Sequence, residues 1–294
     1  MQARQSTLML FVTLTAPVWL LPACSSPSVA TNTPAPQAAA RSGIVERGLS
    51  VDTYALVRDR VLPPNPERGP ELGGVARVKL RPDEIEAGKP WADRCPEDGL
   101  ILTMVARALP RELTEDSRVP SLCLFDRVWC TRDEARSLVP AEPRVGDVAT
   151  LPPGFAERLA RFHLLDREAG VGQAFQGADV SASALAFEVL SMHDSVVRLS
   201  FTGELVAEDA TRRMASRVRG SAAWDYELGT FTSFELVADG ASRPSPSAAN
   251  TRRLGFVFLL SRSPTPELLP PRFIELYEPF DAVESGAASM PSGM

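Results

Sequence analysis

Along residues 195–206, Val197, Leu199 and Phe201 alternate with Arg198, Ser200 and Thr202. The same period of two returns in residues 213–226. There Met214, Val218, Ala222, Trp224 and Tyr226 share one side, and Arg217, Arg219 and Asp225 share the other. An antiparallel strand with one buried face has this period. Residues 230–238 align Phe234, Leu236 and Ala238, residues 252–261 align Leu254, Phe256, Phe258 and Leu260, and residues 182–190 precede them all. Two of the connections read as tight turns. In Asp225-Tyr226-Glu227-Leu228-Gly229 the aspartate can accept backbone amides and the glycine can take positive φ, and Met192-His193-Asp194-Ser195 is similarly short and polar. Five consecutive strands with mostly short loops predict an antiparallel meander.

Upstream, residues 99–109 and 119–129 read as a hairpin around residues 111–118. Thr131-Arg132-Asp133-Glu134 has capping-box spacing, and Pro140 ends the helix it opens near Val139. A second helix is predicted over residues 153–163, with Phe155, Leu159 and Phe162 on one face as core contacts to a sheet. The fold class expected is mainly β (α+β): a curved antiparallel meander with two short helices packed on it.

The start of the chain has a different pattern. Arg4 is the only charge before an apolar run over residues 8–21, which is too short for a comfortable membrane span and has the flanks of a cleaved signal. Leu21-Pro22-Ala23-Cys24, followed by Ser25-Ser26, resembles the lipobox of bacterial lipoproteins, a resemblance confined to residues 1–26. It implies removal of residues 1–23 as a signal peptide, with a diacylglycerol and an amide-linked acyl chain such as palmitate on Cys24. Ser25 is not the aspartate that retains many such proteins at the inner membrane, so the resemblance implies the outer membrane of a bacterial cell envelope. Residues 25–43 are rich in Ser, Pro, Ala and Thr without an aromatic residue, which predicts a disordered tether after Cys24 reaching ~60 Å if extended. Residues 44–281 then form the globular body, with residues 44–130 and 140–281 as candidate subdomains, and residues 282–294 read as a disordered tail.

Composition narrows the partners. The chain is 44% hydrophobic and 23% charged, as expected of a globular body, and its net charge of −6 argues against a nucleic-acid partner. With Cys24 assigned to lipid, Cys95, Cys123 and Cys130 remain, without CxxC or zinc-type spacing. Cys123 and Cys130 in one extended run would lie ~23 Å apart, beyond disulfide reach. The hairpin register instead places Cys95 nearer Cys130. That favours a Cys95–Cys130 disulfide with Cys123 as a buried thiol, the alternative being three packed thiols.

The sequence contains no GxSxG, GxxxxGK, HExxH or GxGxxG motif. His163, with Asp166 three residues on, could pair as base and orienting carboxylate, but its position at a helix end favours a structural role. His193-Asp194 reads as turn chemistry. Arg217 and Arg219, with Arg198, form either a positive stripe or, as preferred, the solvated face of a one-sided sheet. The aromatic residues of the meander either fill a core or line a concave pocket, for which Trp224, Tyr226, Phe256 and Phe258 are the candidates. No metal or cofactor is expected. Three function classes follow: a non-catalytic envelope lipoprotein that binds a protein or supports assembly, ranked first; a carrier or sensor of an apolar ligand held in the curved sheet; and a hydrolase using carboxylates. Membrane contact is expected through the lipid anchor.

Overall fold

The meander is the backbone of the molecule. In a computed structural model of the chain, β4 (Val180–His193), β5 (Val196–Glu208), β6 (Arg213–Asp225), β7 (Thr230–Arg243) and β8 (Arg252–Leu260) pair antiparallel in sequence order. The structure describes residues 48–62, 95–96, 98–120, 122–167, 173–243, 251–261 and 270–277. The predicted hairpin forms from β1 (Leu100–Leu109) and β2 (Leu124–Cys130), with Leu100 opposite Cys130. β1 also pairs with β8, and a short β3 (Val148–Thr150) pairs with β4, giving one eight-stranded sheet in the order β2-β1-β8-β7-β6-β5-β4-β3. The two outermost strands are not paired to each other, so the sheet is open rather than a barrel.

Alternation divides the side chains between two faces. One, the inner face, carries Leu102, Met104, Leu199, Phe201, Leu236, Phe256 and Phe258, all at most 1% exposed. Two helices cover it, α2 (Arg132–Ser137) and α3 (Pro153–Arg158). The α2 capping box is complete: Thr131 Oγ1 accepts the Glu134 amide at 3.2 Å, and Glu134 Oε2 accepts the Thr131 amide at 2.7 Å. Beyond α3 the backbone widens into a π-helical turn, Leu159–His163, closed by Leu164 N–H donating to Leu159 O at 2.9 Å. Phe155, Leu159 and Phe162 are buried as the helical spacing predicted. The turns also form as read. Asp225 Oδ1 accepts the Glu227 and Leu228 amides, Gly229 takes φ +65°, and Asp194 takes φ 51°.

The outer face carries a helix that the sequence reading did not predict. Here α1 (Val51–Val61) packs Val57 and Val61 onto Val105, Val237, Val257 and Leu259. Ser50 caps it by accepting the Thr53 amide. Gly255 permits the close approach: a Cβ there would lie 2.3 Å from Val61 Cγ2 and 2.8 Å from Leu109 Cδ1. Tyr54 and Arg58 both bond Glu235, and Arg219 donates to Leu49 O at 2.8 Å. Arg219 thus fastens the start of α1, and Arg217 is exposed beside it. Among the described residues no helix is long and apolar enough to cross a membrane.

The structure places Cys95 and Cys130, the pair expected to form a disulfide, in different clusters. The reason is facial alternation. Trp129 and Cys130 point to opposite faces, and Cys95 packs with Ile101, Trp129 and Ile274 while Cys130 lies in the inner-face core. Cys123 falls on the outer-face side. Cys24 lies outside the described residues.

Candidate functional site

The densest chemistry sits where β2, the π turn and residues 270–277 meet. Asp126 shares the inner face of β2 with Val128 and Cys130, which places its carboxyl under the π turn rather than in solvent. The turn aims His163, 0% exposed, back at this strand, with Nδ1 3.3 Å from Asp126 Oδ2. Tyr277 closes the other side of the ring, its hydroxyl 2.5 Å from His163 Nε2. Arg167 also binds Asp126 Oδ2, while Oδ1 accepts the amides of Arg127 and Arg272.

Alongside lies a second buried pair. Arg158 donates from Nη2 to Glu134 Oε1 at 2.6 Å and from Nη1 to Oε2 at 3.1 Å, a two-pronged ion pair. Its Nη1 also reaches Trp129 O at 2.8 Å, and its guanidinium lies 4.4 Å from the Tyr277 ring centre. These contacts finish the exposed edge of β2. Residues 270–277 cross that edge as a strap, with Ile274 packed on Ile101 and Trp129, and Tyr277 stacked on Phe162 at 5.6 Å.

The electrostatics make this a closed clamp. Burial works to raise the Asp126 pKa, but hydrogen bonding and charge from His163, then Arg167, outweigh it and hold the group at about 2. Burial lowers the His163 pKa, aided by Arg167 and Arg158 and opposed by Asp126, so the ring is neutral at neutral pH. Nδ1 faces the Asp126 carboxylate and Nε2 faces the Tyr277 hydroxyl. Burial, then the Asp126 charge, drives the Tyr277 hydroxyl well above its ordinary value and keeps it a donor. Burial likewise pushes the Cys130 thiol up to about 12, far from the thiolate a nucleophile needs. An Asp–His–Tyr chain resembles an oriented general base, yet both ring nitrogens face protein and a substrate would have to displace Tyr277 to reach Nε2.

The structure assigns the residues singled out in the sequence to different places. His163 meets Asp126, 37 positions upstream, rather than Asp166, which instead accepts from Arg252 Nη1 at 2.7 Å. His193 and Asp194 pair at 2.8 Å on an exposed turn, 89% and 85% exposed. Trp224 lies under α2 with Phe231 at 4.9 Å and the Arg136 guanidinium at 5.8 Å, and Tyr226 donates to Pro140 O at 2.6 Å. Phe256 and Phe258 sit elsewhere. Phe231, opposite Trp224, is five residues along β7 from Leu236, opposite Phe258, or roughly 16 Å. Trp224, Phe256 and Phe258 are at most 1% exposed and fill the core between sheet and helices. A shallow recess lined by Asp166, Phe175, Arg212, Met214 and Ser242 has a volume of ≈ 10 Å³, room for about one water.

Asp126, Arg158 and Tyr277 were missed in the sequence. Arg158 alone left a signal, a charged residue one turn beyond Phe155 on a core-facing helix. Among the described residues no three His, Cys, Asp or Glu side chains group as a metal site would require. No family model, curated protein or solved structure matches the chain.

Proposed function

We propose that this chain is a lipid-anchored bacterial envelope protein whose β domain is a non-catalytic binding or structural module at the outer membrane. One observation carries the reading: Leu21-Pro22-Ala23-Cys24-Ser25-Ser26 after a short apolar run, followed by the Pro/Ser/Ala-rich residues 25–43. Two or more acyl chains on Cys24 would hold the protein firmly, at ~0.8 kcal/mol per buried methylene. The non-catalytic part draws support from the interior. Arg158 is paired with Glu134 and His163 Nε2 with the Tyr277 hydroxyl, and the candidate pocket aromatics sit at separate places along the sheet, Trp224 beside Tyr226 and Phe256 and Phe258 on β8.

The test is metabolic labelling of the full chain in a bacterial host with a clickable palmitate analogue, followed by membrane fractionation. The wild-type chain takes the label and sediments with outer membrane, whereas C24A loses both. Equal labelling of C24A would discard the anchor. Native mass spectrometry of the same protein tests the module reading: a bare mass supports it, and an apolar ligand released on denaturation would replace it with a carrier.

A further inference from the structure

Two arginines, Arg107 under α1 and the part-buried Arg60 in its last turn, differ from the ion-paired arginines described. Arg107, on β1, is 6% exposed, yet its hydrogen bonding amounts to one contact, Nη1 to Arg60 O at 3.3 Å. Its Nε is buried without a partner, and so is the Nε of Arg60. Among the described residues no carboxylate pairs with either. By contrast Arg158 holds Glu134, Arg167 holds Asp126 and Arg212 holds Asp209.

A guanidinium cannot escape burial by losing its proton. An uncompensated buried charge is therefore an unstable arrangement unless an anion completes it. The C-terminal carbonyl end of α1 supplies only a partial negative charge, through one long bond. The surrounding walls are apolar: Val57, Val61 and Leu109 converge on Gly255, which stands opposite Arg107 in the β1–β8 ladder. Such walls strengthen attraction to a counter-ion by lowering the local dielectric. The Arg107 bond to the Arg60 carbonyl sets the two residues side by side; if both guanidinium groups turn to one anion, a dianion balances them where a single carboxylate leaves one charge over. Guanidinium forks match phosphate oxygens in geometry as well as charge.

We propose that Arg60 and Arg107 form a binding site for a phosphate-type oxyanion at the C-terminal end of α1. The phosphate comes either free from solution or as the headgroup of an anionic lipid. This inference does not depend on lipidation of Cys24, and the test removes that contribution.

The experiment uses the full chain carrying C24A. Thermal unfolding is followed as inorganic phosphate rises at constant ionic strength, with acetate as the monoanion control. In parallel, flotation is measured with vesicles containing phosphatidic acid, a phosphomonoester, and with vesicles of phosphatidylcholine. A saturable rise in Tm with phosphate and not acetate is expected, identifying free phosphate as sufficient. Flotation on the phosphatidic acid vesicles alone identifies the headgroup. R107M is expected to melt higher than its parent without phosphate, because the buried charge is gone, and to lose the response to both probes. R60Q weakens apparent affinity by about tenfold, the effect of ~1.4 kcal/mol, and R217Q, on the exposed part of the same face, leaves it unchanged. The proposal is overturned if neither probe engages the parent chain, or if its response survives in R107M.

Discussion

On the inner face of the sheet, the Arg158 and Arg167 side chains are set against Glu134 and Asp126, each pair within hydrogen-bonding reach. On the outer face, Arg107 is buried just as deeply, opposite Gly255 in the β1–β8 ladder and bonded to one backbone carbonyl. The sheet is the same and the residue type is the same, but the neighbours differ. Where charge is matched, the arginines act as fasteners: Arg158 ties α3 to α2 and to the edge of β2, and Arg167 ties the end of the π turn to Asp126. Where charge is unmatched, burial without compensation marks a place that favours an incoming anion. A count of buried arginines would not separate the two cases. Their partners do.

Substitutions can break this contrast from either side. The largest effect is expected from Glu134→Gln, which keeps an oxygen for the Thr131 amide but leaves Arg158 buried and unpaired. Chemical denaturation should show a loss of about 3–5 kcal/mol, while R107M moves stability the opposite way. A loss for E134Q below ~1 kcal/mol would mean that the inner-face pairs matter no more than exposed ones. Gly255→Ala follows, at about 1–3 kcal/mol by overpacking against Val61 and Leu109. Hydrogen exchange should then rise in α1 and not in α3, since only the outer face is disturbed.

Acid titration sharpens the comparison further. Unfolded His163 takes a proton near its ordinary pKa of about 6.5, whereas the folded ring stays neutral below that pH. Stability is therefore full above this range and falls by up to ~1.4 kcal/mol per pH unit beneath it, until native His163 itself protonates. Asp126 acts at lower pH: its contribution is present above the ordinary carboxyl value of about 3.9 and is lost as pH falls toward its native value of about 2. Urea midpoints measured from neutral pH to about pH 5 should decline in the parent chain and flatten in H163Q. The smallest effect is Thr131→Ala, about 1 kcal/mol from loss of the α2 cap. An equal cost at low and high salt would identify it as a hydrogen-bonding loss rather than an electrostatic one.

What could be read in the sequence follows the distance over which each feature is determined. The β4–β8 meander was legible because long one-sided strands repeat the same alternation, and the α2 cap because its parts lie three residues apart. α1 was not legible. Of its eleven residues only Val57 and Val61 are buried, too few to stand out as a stripe, although Ser50 was available as a cap. β3 is three residues long and depends on β4 for its existence. The clamp was least legible of all, since Asp126 and His163 lie on different elements and Tyr277 is a further 114 positions along. Proximity along the hairpin likewise said nothing about which face Cys95 would occupy.

The place of β1 beside β8 sets an order of assembly. Neighbouring strands of the meander meet across short turns, whereas Thr103 and Ser261, at the β1–β8 junction, are 158 residues apart in sequence. A chain emerging from its N-terminus presents the β1–β2 hairpin first, yet β1 must wait for β8 before its second edge is paired. Closing so long a loop is slow in a β topology. The meander should therefore form as a local unit, with the early hairpin joining last and its unpaired strand edge exposed in the interval. During that interval the exposed edge of β1 is the surface most open to pairing with a strand of another chain.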